Sequence, residues 1–254
     1  MKNTITAIVT GAGHFPGIGS QTALDLLQSG YNVAIISRSI DNEWYKLLDQ
    51  YHDNLLLFLG DITDNHVQTK FLDTVIQSFG QLHFVVNNAS SGSAKYQQSG
   101  LLTWETWIEN FNINVITVYN FSHLCKPYLD QTKGSIVNIS SRAATMNNVG
   151  NNLAYSISKS SMLKLTQQMA IDFAPHVTVN AVSPGFVDTA RLRSVFGDKF
   201  ENLAADRMEK SLSKEYVTVN DVSNVVINIL NSRAVNGQNI SVCGGTSLPI
   251  NIIN

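Results

Sequence analysis

The chain has 254 residues, a formal net charge of −2, 44% hydrophobic residues and only 14% charged ones. This length and apolar content suit one large α/β domain and argue against disorder. A near-zero charge without a basic run argues against nucleic-acid binding, and the low charge density points to buried subunit surfaces.

Apolar runs and helical patterns alternate along the chain. Ile5–Thr10 reads as a buried strand running into Gly11, and Ile18–Ser29 as a helix ended by Gly30. Tyr31–Ser37 is a second strand, and Asp41 can cap a helix to about Tyr51. Asn54–Gly60 is a third strand, followed by a helix from the Asp64 cap to about Phe79. Leu82–Asn87 is a fourth strand. Thr103–Leu129 carries one long helical pattern, with a disturbance expected near Pro127. Ser135–Ser140 is a fifth strand, Ala154–Phe173 a second long helix and Val177–Val182 a sixth strand. Thr218 with Asp221 resembles a capping box for a helix to about Leu230, and Asn239–Cys243 is a short last strand. The least regular segment, about Thr189–Tyr216, is expected to form a lid, because ligands bind beyond the carboxyl ends of such strands.

Strands that read as continuous apolar runs, each followed by a helix, predict a parallel sheet covered on both faces. The expected fold is a single Rossmann-like, doubly wound α/β domain over residues 1–254, with about seven parallel strands. Cys125 and Cys243 read as reduced thiols in packed elements, and the scattered histidines offer no metal-ligand spacing. The N-terminal apolar run is too short for a signal-peptide core, and no apolar stretch approaches the roughly 20 residues of a membrane span. Cytoplasm is therefore the expected location.

The turn Gly11-Ala12-Gly13-His14-Phe15-Pro16-Gly17-Ile18-Gly19 lies between the first strand and the first helix. Glycines there let the backbone approach a pyrophosphate at the positive helix N-terminus. The second strand ends in Ser37 and Arg38, where a carboxylate would hold the ribose hydroxyls of NAD. A guanidinium pairs with a 2′-phosphate instead, so NADP(H) is expected over NAD(H). Asp61, with Ile62 beside it, stands where it can accept from an adenine amino group.

Tyr155-Ser156-Ile157-Ser158-Lys159 opens the second long helix, and residues four apart share a helix face. A nearby cation lowers a phenol pKa of about 10 by about 1–3 units, so Lys159 is expected to tune Tyr155 toward proton exchange. The strand ending in Ser140-Ser141 would bring a hydroxyl beside the phenol.

With these motifs the chain resembles an ordinary short-chain dehydrogenase/reductase along nearly its whole length. The resemblance rests on the glycine turn, Asn87-Asn88-Ala89, Asn114, Ser141, Tyr155, Lys159 and Pro184-Gly185-Phe186-Val187-Asp188-Thr189. It implies Tyr155 as the general acid or base, Ser141 as the group polarising the carbonyl oxygen, and Lys159 as tuner of Tyr155 and ligand of the nicotinamide ribose. It implies that Asn114 supports a water joining Lys159 to solvent. Asn87 and Ala89 would line the cofactor groove, and Pro184, Gly185, Val187 and Thr189 would hold the nicotinamide end. The implied activity is hydride transfer between nicotinamide and a carbonyl or secondary alcohol, with a 3-oxoacyl thioester or another small ketone as substrate. A pteridine reductase-like enzyme and a non-catalytic NADP sensor or scaffold on the same fold remain alternatives.

Three features depart from the family pattern. The glycine turn is two residues longer than the common form, and one extra position separates Ser141 from Tyr155. The usual glycine after Asn87-Asn88-Ala89 is Ser90. The longer turn resembles that of enoyl-carrier-protein reductases, whose tyrosine and lysine are spaced more widely than Tyr155 and Lys159. A carrier-protein substrate is weakened by Asp172-Phe173-Ala174-Pro175-His176, which lacks the basic residues of a carrier-docking surface. Arg142, Arg191 and Arg193 are candidates to meet an anionic substrate. The helix Ala154–Phe173 is apolar on more than one side, so a homodimer or homotetramer through the long helices is expected.

Overall fold

The computed structural model describes residues 4–91, 102–146 and 153–248. Seven strands form one sheet: β1 Thr6–Thr10, β2 Asn32–Ser37, β3 Leu55–Leu59, β4 Phe84–Asn87, β5 Ser135–Ile139, β6 Thr178–Pro184 and β7 Asn239–Val242. Every pairing is parallel, in the order β3-β2-β1-β4-β5-β6-β7. Expected and observed strand ends coincide or differ by at most two residues.

Side-chain alternation divides the core between the two faces. Ala7 and Val9 of β1 join Val33 and Ile35 of β2 on one face. Ile8, Ala34 and Ile36 point to the other. The first face is covered by α1 (Ile18–Gln28), α2 (Asn42–Leu48) and later α9 (Val219–Leu230), and the second by α3 (Asn65–Phe79), α5 (Thr117–Thr132) and α6 (Leu153–Asp172). Two apolar faces explain why the strands read as unbroken hydrophobic runs. Asp64 caps α3 by accepting from the His66 and Val67 amides. Thr218 and Asp221 form the expected capping box of α9.

Two expectations need correction. The pattern Thr103–Leu129 is not one helix disturbed near Pro127. It comprises α4 (Trp104–Phe111), a wider π turn at Asn112–Ile116, and α5, which continues through Pro127 to Thr132. Proline removes one backbone donor, and the surrounding turns keep theirs. The π turn lies instead where Asn114 bonds Ser90 and Ser158, an arrangement typical of functional positions. The second correction concerns 189–216. The segment holds α7 (Ala190–Phe196) and α8 (Phe200–Glu209), so it is helical and not irregular. Phe186 packs against Phe196 and Phe200, and Arg193 pairs with Asp188 and Glu201 while covering the Phe200 ring. The excursion leaves and rejoins the body at a bridge between Val187 and Val217.

Candidate active site

The strand order reverses on either side of β1, which opens a crevice at the carboxyl ends of the strands. A cavity of about 680 Å³ fills this crevice. It is within the size range of small-molecule and cofactor sites. One end is bounded by the glycine turn after β1, by Arg38 after β2 and by Asp61 after β3. Ser141 after β5, Tyr155 and Lys159 of α6, and Pro184–Val187 after β6 bound the other.

The glycine turn is held by contacts that its length makes possible. His14 bonds Asp41 (2.6 Å) and Ser39 (3.2 Å), and Phe15 stacks on Trp44 at 5.1 Å. The buried Trp44 indole donates to the Ala12 carbonyl at 2.8 Å. The two additional residues therefore tie the turn to the segment after β2 that carries Arg38. The Pro16 carbonyl accepts from the Ala190 amide at 2.8 Å, which joins the turn to the base of α7. A Cβ on Gly13 would stand 1.9 Å from the Ser39 carbonyl oxygen and 2.4 Å from Ser37 Oγ. Gly13→Ala is therefore expected to cost about 1–3 kcal/mol by overpacking, read by urea denaturation, and to weaken NADPH binding. Unchanged stability would contradict this close seating.

These features fit a dinucleotide. No side chain caps the N-terminus of the 11-residue helix that follows the turn, a guanidinium stands at the β2 end, and a carboxylate stands at the β3 end. Asp61 accepts from the Thr63 amide and hydroxyl at 2.9 and 2.8 Å, which fixes its orientation.

At the other end Ser141 and Tyr155 both line the cavity, and the Ser141 hydroxyl is near enough to act on the Tyr155 phenol. The extra residue between them does not separate them, although residues 147–152 of the connecting segment lie outside the described residues. Ser141 also accepts from the Ala143 amide at 3.1 Å, which orients its oxygen. Ser140 points elsewhere, donating to the Lys159 carbonyl.

Burial raises the Tyr155 phenol above its usual range, opposed by the Ser141 hydrogen bond and by the charge of Arg191. This differs from the expectation that Lys159 would lower it. The Lys159 ammonium donates to the Ile139 carbonyl at 2.7 Å and lies 5.9 Å from the Tyr155 ring centre. Lys159 is only 1% exposed, and burial, reinforced by Arg191, pushes it down to about 7.

This burial has a consequence for stability. Between pH about 7 and the usual lysine value of 10.5, the unfolded chain carries a proton that the native lysine lacks. Native stability therefore rises with pH across that window, and the full penalty applies below it. Lys159→Met removes the penalty. Without cofactor, its thermal midpoint relative to wild type should be more favourable at pH 6 than at pH 9. An identical difference at both pH values would contradict the shift.

Not every expected site residue lines the cavity. Gly13, Asn87, Ala89 and Asn114 stand behind its wall, whereas Gly11, Gly17, Ile18, Gly19, Ser37, Ile62 and Thr189 reach it. Buried Asn87 donates to Ser122 (3.1 Å) and Asn138 (2.8 Å), and Asn138 donates to Thr166, so this chain of amides fastens β4 to β5 and α6. The Ala89 backbone packs against Gly11. Asn114 accepts from Ser90 at 2.8 Å and donates to Ser158 at 2.9 Å. The departure at Ser90 thus supplies a partner for Asn114. Arg193 faces Asp188 and Glu201 on the surface and takes no part in the site. Arg207 of α8 does line the cavity, and nothing in its sequence surroundings signals this.

A protein-family model described as "Enoyl-(Acyl carrier protein) reductase" matches residues 11–247. A 1,2-dihydroxy-1,2-dihydronaphthalene dehydrogenase of Pseudomonas putida is 32% identical over 192 residues, covering 73% of this chain and 71% of that protein. A 3-oxoacyl-(acyl-carrier-protein) reductase of Buchnera aphidicola is 26% identical over 252 residues, covering 96% and 97%. Among solved structures, a short-chain dehydrogenase/reductase of unknown function from Caenorhabditis elegans, determined with cofactor, superposes with a TM-score of 0.83 at 27% identity. That match covers 97% of this chain and 96% of the other.

Proposed function

The chain belongs to the short-chain dehydrogenase/reductase family of oxidoreductases acting on CH–OH and C=O groups, and we propose that it is an NADP(H)-dependent reductase of a small ketone or 3-oxoacyl thioester. The observation that carries the chemistry is that Ser141, Tyr155 and Lys159 meet at the wall of one cavity that extends to Arg38.

When bound, nicotinamide would supply the hydride for the carbonyl carbon. Ser141 donates to the carbonyl oxygen and holds it against Tyr155. As negative charge grows on that oxygen, the phenol transfers its proton and completes the alcohol. The resulting phenolate regains a proton before the next turnover. A phenol held above its usual range is protonated at neutral pH, the form that donates in carbonyl reduction. Lys159 places a donor group beneath the phenol, and Asn114 fixes the helix turn that faces it. The glycine turn, Ser37, Arg38 and Asp61 would hold the adenosine half, with Val187 and Thr189 at the nicotinamide end.

The four-residue spacing of Tyr155 and Lys159 favours carbonyl reduction over the enoyl reduction named by the family model. The named activities of the Buchnera and Pseudomonas relatives involve carbonyl and alcohol carbons. The test is NADPH oxidation with a panel of ketones, β-ketoacyl thioesters and pterins. Reduction of at least one ketone or ketoacyl thioester is expected. NADPH binding with no oxidation across the panel would favour a cofactor sensor, and selective pterin reduction would favour a pteridine reductase.

The same reading includes assembly through the long helices. Trp104, Ile108, Ile116 and Tyr119 of the α4–α5 region and Leu153, Ile157 and Ile171 of α6 are exposed. A dimer or tetramer would bury these faces and accounts for the sparse charge. Sedimentation velocity at micromolar concentration should show an oligomer, and Ile171→Glu should shift it toward monomer. A wild-type monomer would reject the assembly.

A further inference from the structure

Four of the cavity's side chains, Arg38, Arg142, Arg191 and Arg207, are arginines, leaving only Arg193 and Arg233 elsewhere in the chain. Arg38 and Asp61 belong to the adenosine end. Beyond them, no carboxylate lines the cavity among the described residues. The chain as a whole is slightly acidic, so this concentration of cations is local.

The three remaining arginines are not equivalent. Arg191 donates to the Ser90 carbonyl at 2.8 Å and senses both Tyr155 and Arg38, so it stands between the two ends of the cleft. Arg142 follows Ser141 directly, and Arg207 of α8 lines the same cavity. These two also border a small recess with Phe186, Met208 and Cys243, on the β6 side and away from the glycine turn. Burial lowers the Arg142 guanidinium, and the charge of Arg207 lowers it further. Neither Arg142 nor Arg207 makes a side-chain hydrogen bond or ion pair among the described residues. Glu215 borders the recess without an ion pair among the described residues, and Asp206, bridged to Lys210 at 2.5 Å, feels the charge of Arg207 only at longer range.

Two like charges facing one cavity with their donors unused destabilise the free protein unless a ligand answers them. A guanidinium presents a planar fork of donors matched to carboxylate or phosphate oxygens. Resting on the reductase reading above, we infer that the substrate carries an oxyanion, a carboxylate or a phosphate monoester, held by Arg142 and Arg207 while its carbonyl meets Ser141 and Tyr155. This site deepens the assignment from small ketones in general to anionic ones, and it makes α8 a specificity element.

The test separates anion recognition from turnover. Isothermal titration is carried out on the free protein and on its NADP⁺ complex with benzoate, phenyl phosphate and the neutral benzamide. At least one anion is expected to bind about tenfold or more tightly than benzamide, the preference that one charge-assisted contact supports. Which anion wins identifies the oxyanion. Arg207→Gln and Arg142→Gln should each erase the preference. Lys199→Gln removes the same charge from the same segment but outside the cavity and should retain it. Two anions binding no better than benzamide, or equal losses in Arg207→Gln and Lys199→Gln, would overturn the inference. An anion preference without reduction of any ketone would strike the reductase reading and leave the anion site standing. Reduction of ketones without an anion preference would do the reverse.

Discussion

Tyr155→Phe is expected to lower turnover by about 10²–10⁴-fold, the contribution of a positioned general acid, while leaving NADPH affinity within a fewfold of wild type. The substitution keeps the ring and its burial and removes only the hydroxyl that faces the cavity beside Ser141. Ketone binding can persist through Ser141, but no phenolic proton is available for the developing alkoxide. The loss should therefore appear in kcat. Turnover within tenfold of wild type would remove Tyr155 from the chemistry. Ser141→Ala should also lower turnover, because the carbonyl oxygen loses the second hydroxyl that places it.

Arg38→Asp is expected to weaken NADPH binding at least tenfold more than NADH binding. Arg38 is exposed at the end of β2 and borders the cavity at the end opposite Tyr155. A charge-assisted hydrogen bond to a phosphate is worth about 1.5–3 kcal/mol, or roughly tenfold to more than a hundredfold in affinity. Aspartate also repels the 2′-phosphate and can accept from ribose hydroxyls, so the loss should fall chiefly on NADPH. Fluorescence titration with each cofactor measures the difference. Equal losses for both would remove the phosphate role of Arg38.

The order of elements was legible because most strands lie between two apolar layers and several helices begin or end on a local signal. Asp64, Thr218 and Gly30 are examples. The glycine turn, Tyr155 and Lys159 were legible because their chemistry depends on close sequence spacing. Features built by tertiary contact were not. Asn114 and Ser90 are 24 positions apart, and their hydrogen bond belongs to a π turn that apolar periodicity does not reveal. Pro127 attracted the expected disturbance because a proline is visible in sequence, whereas the wider turn at Asn112–Ile116 has no comparable marker. In 189–216, two short helices with interspersed charges read as irregular until Phe186 and Arg193 supply their packing. The pairing of Arg142 with Arg207 is likewise invisible without α8 folded over the strand ends. The raised Tyr155 phenol and the lowered Lys159 ammonium both come from burial, which the four-residue spacing does not reveal.

The central claim is that this cleft moves a hydride to a carbonyl carbon under proton donation by Tyr155. The direct measurement is mass spectrometry of product formed from a reduced ketone with NADPH deuterated on either face of nicotinamide C4. The account predicts one deuterium on the carbinol carbon from one of the two labelled cofactors and none from the other. NADPH oxidation that leaves both products free of deuterium at that carbon would contradict it.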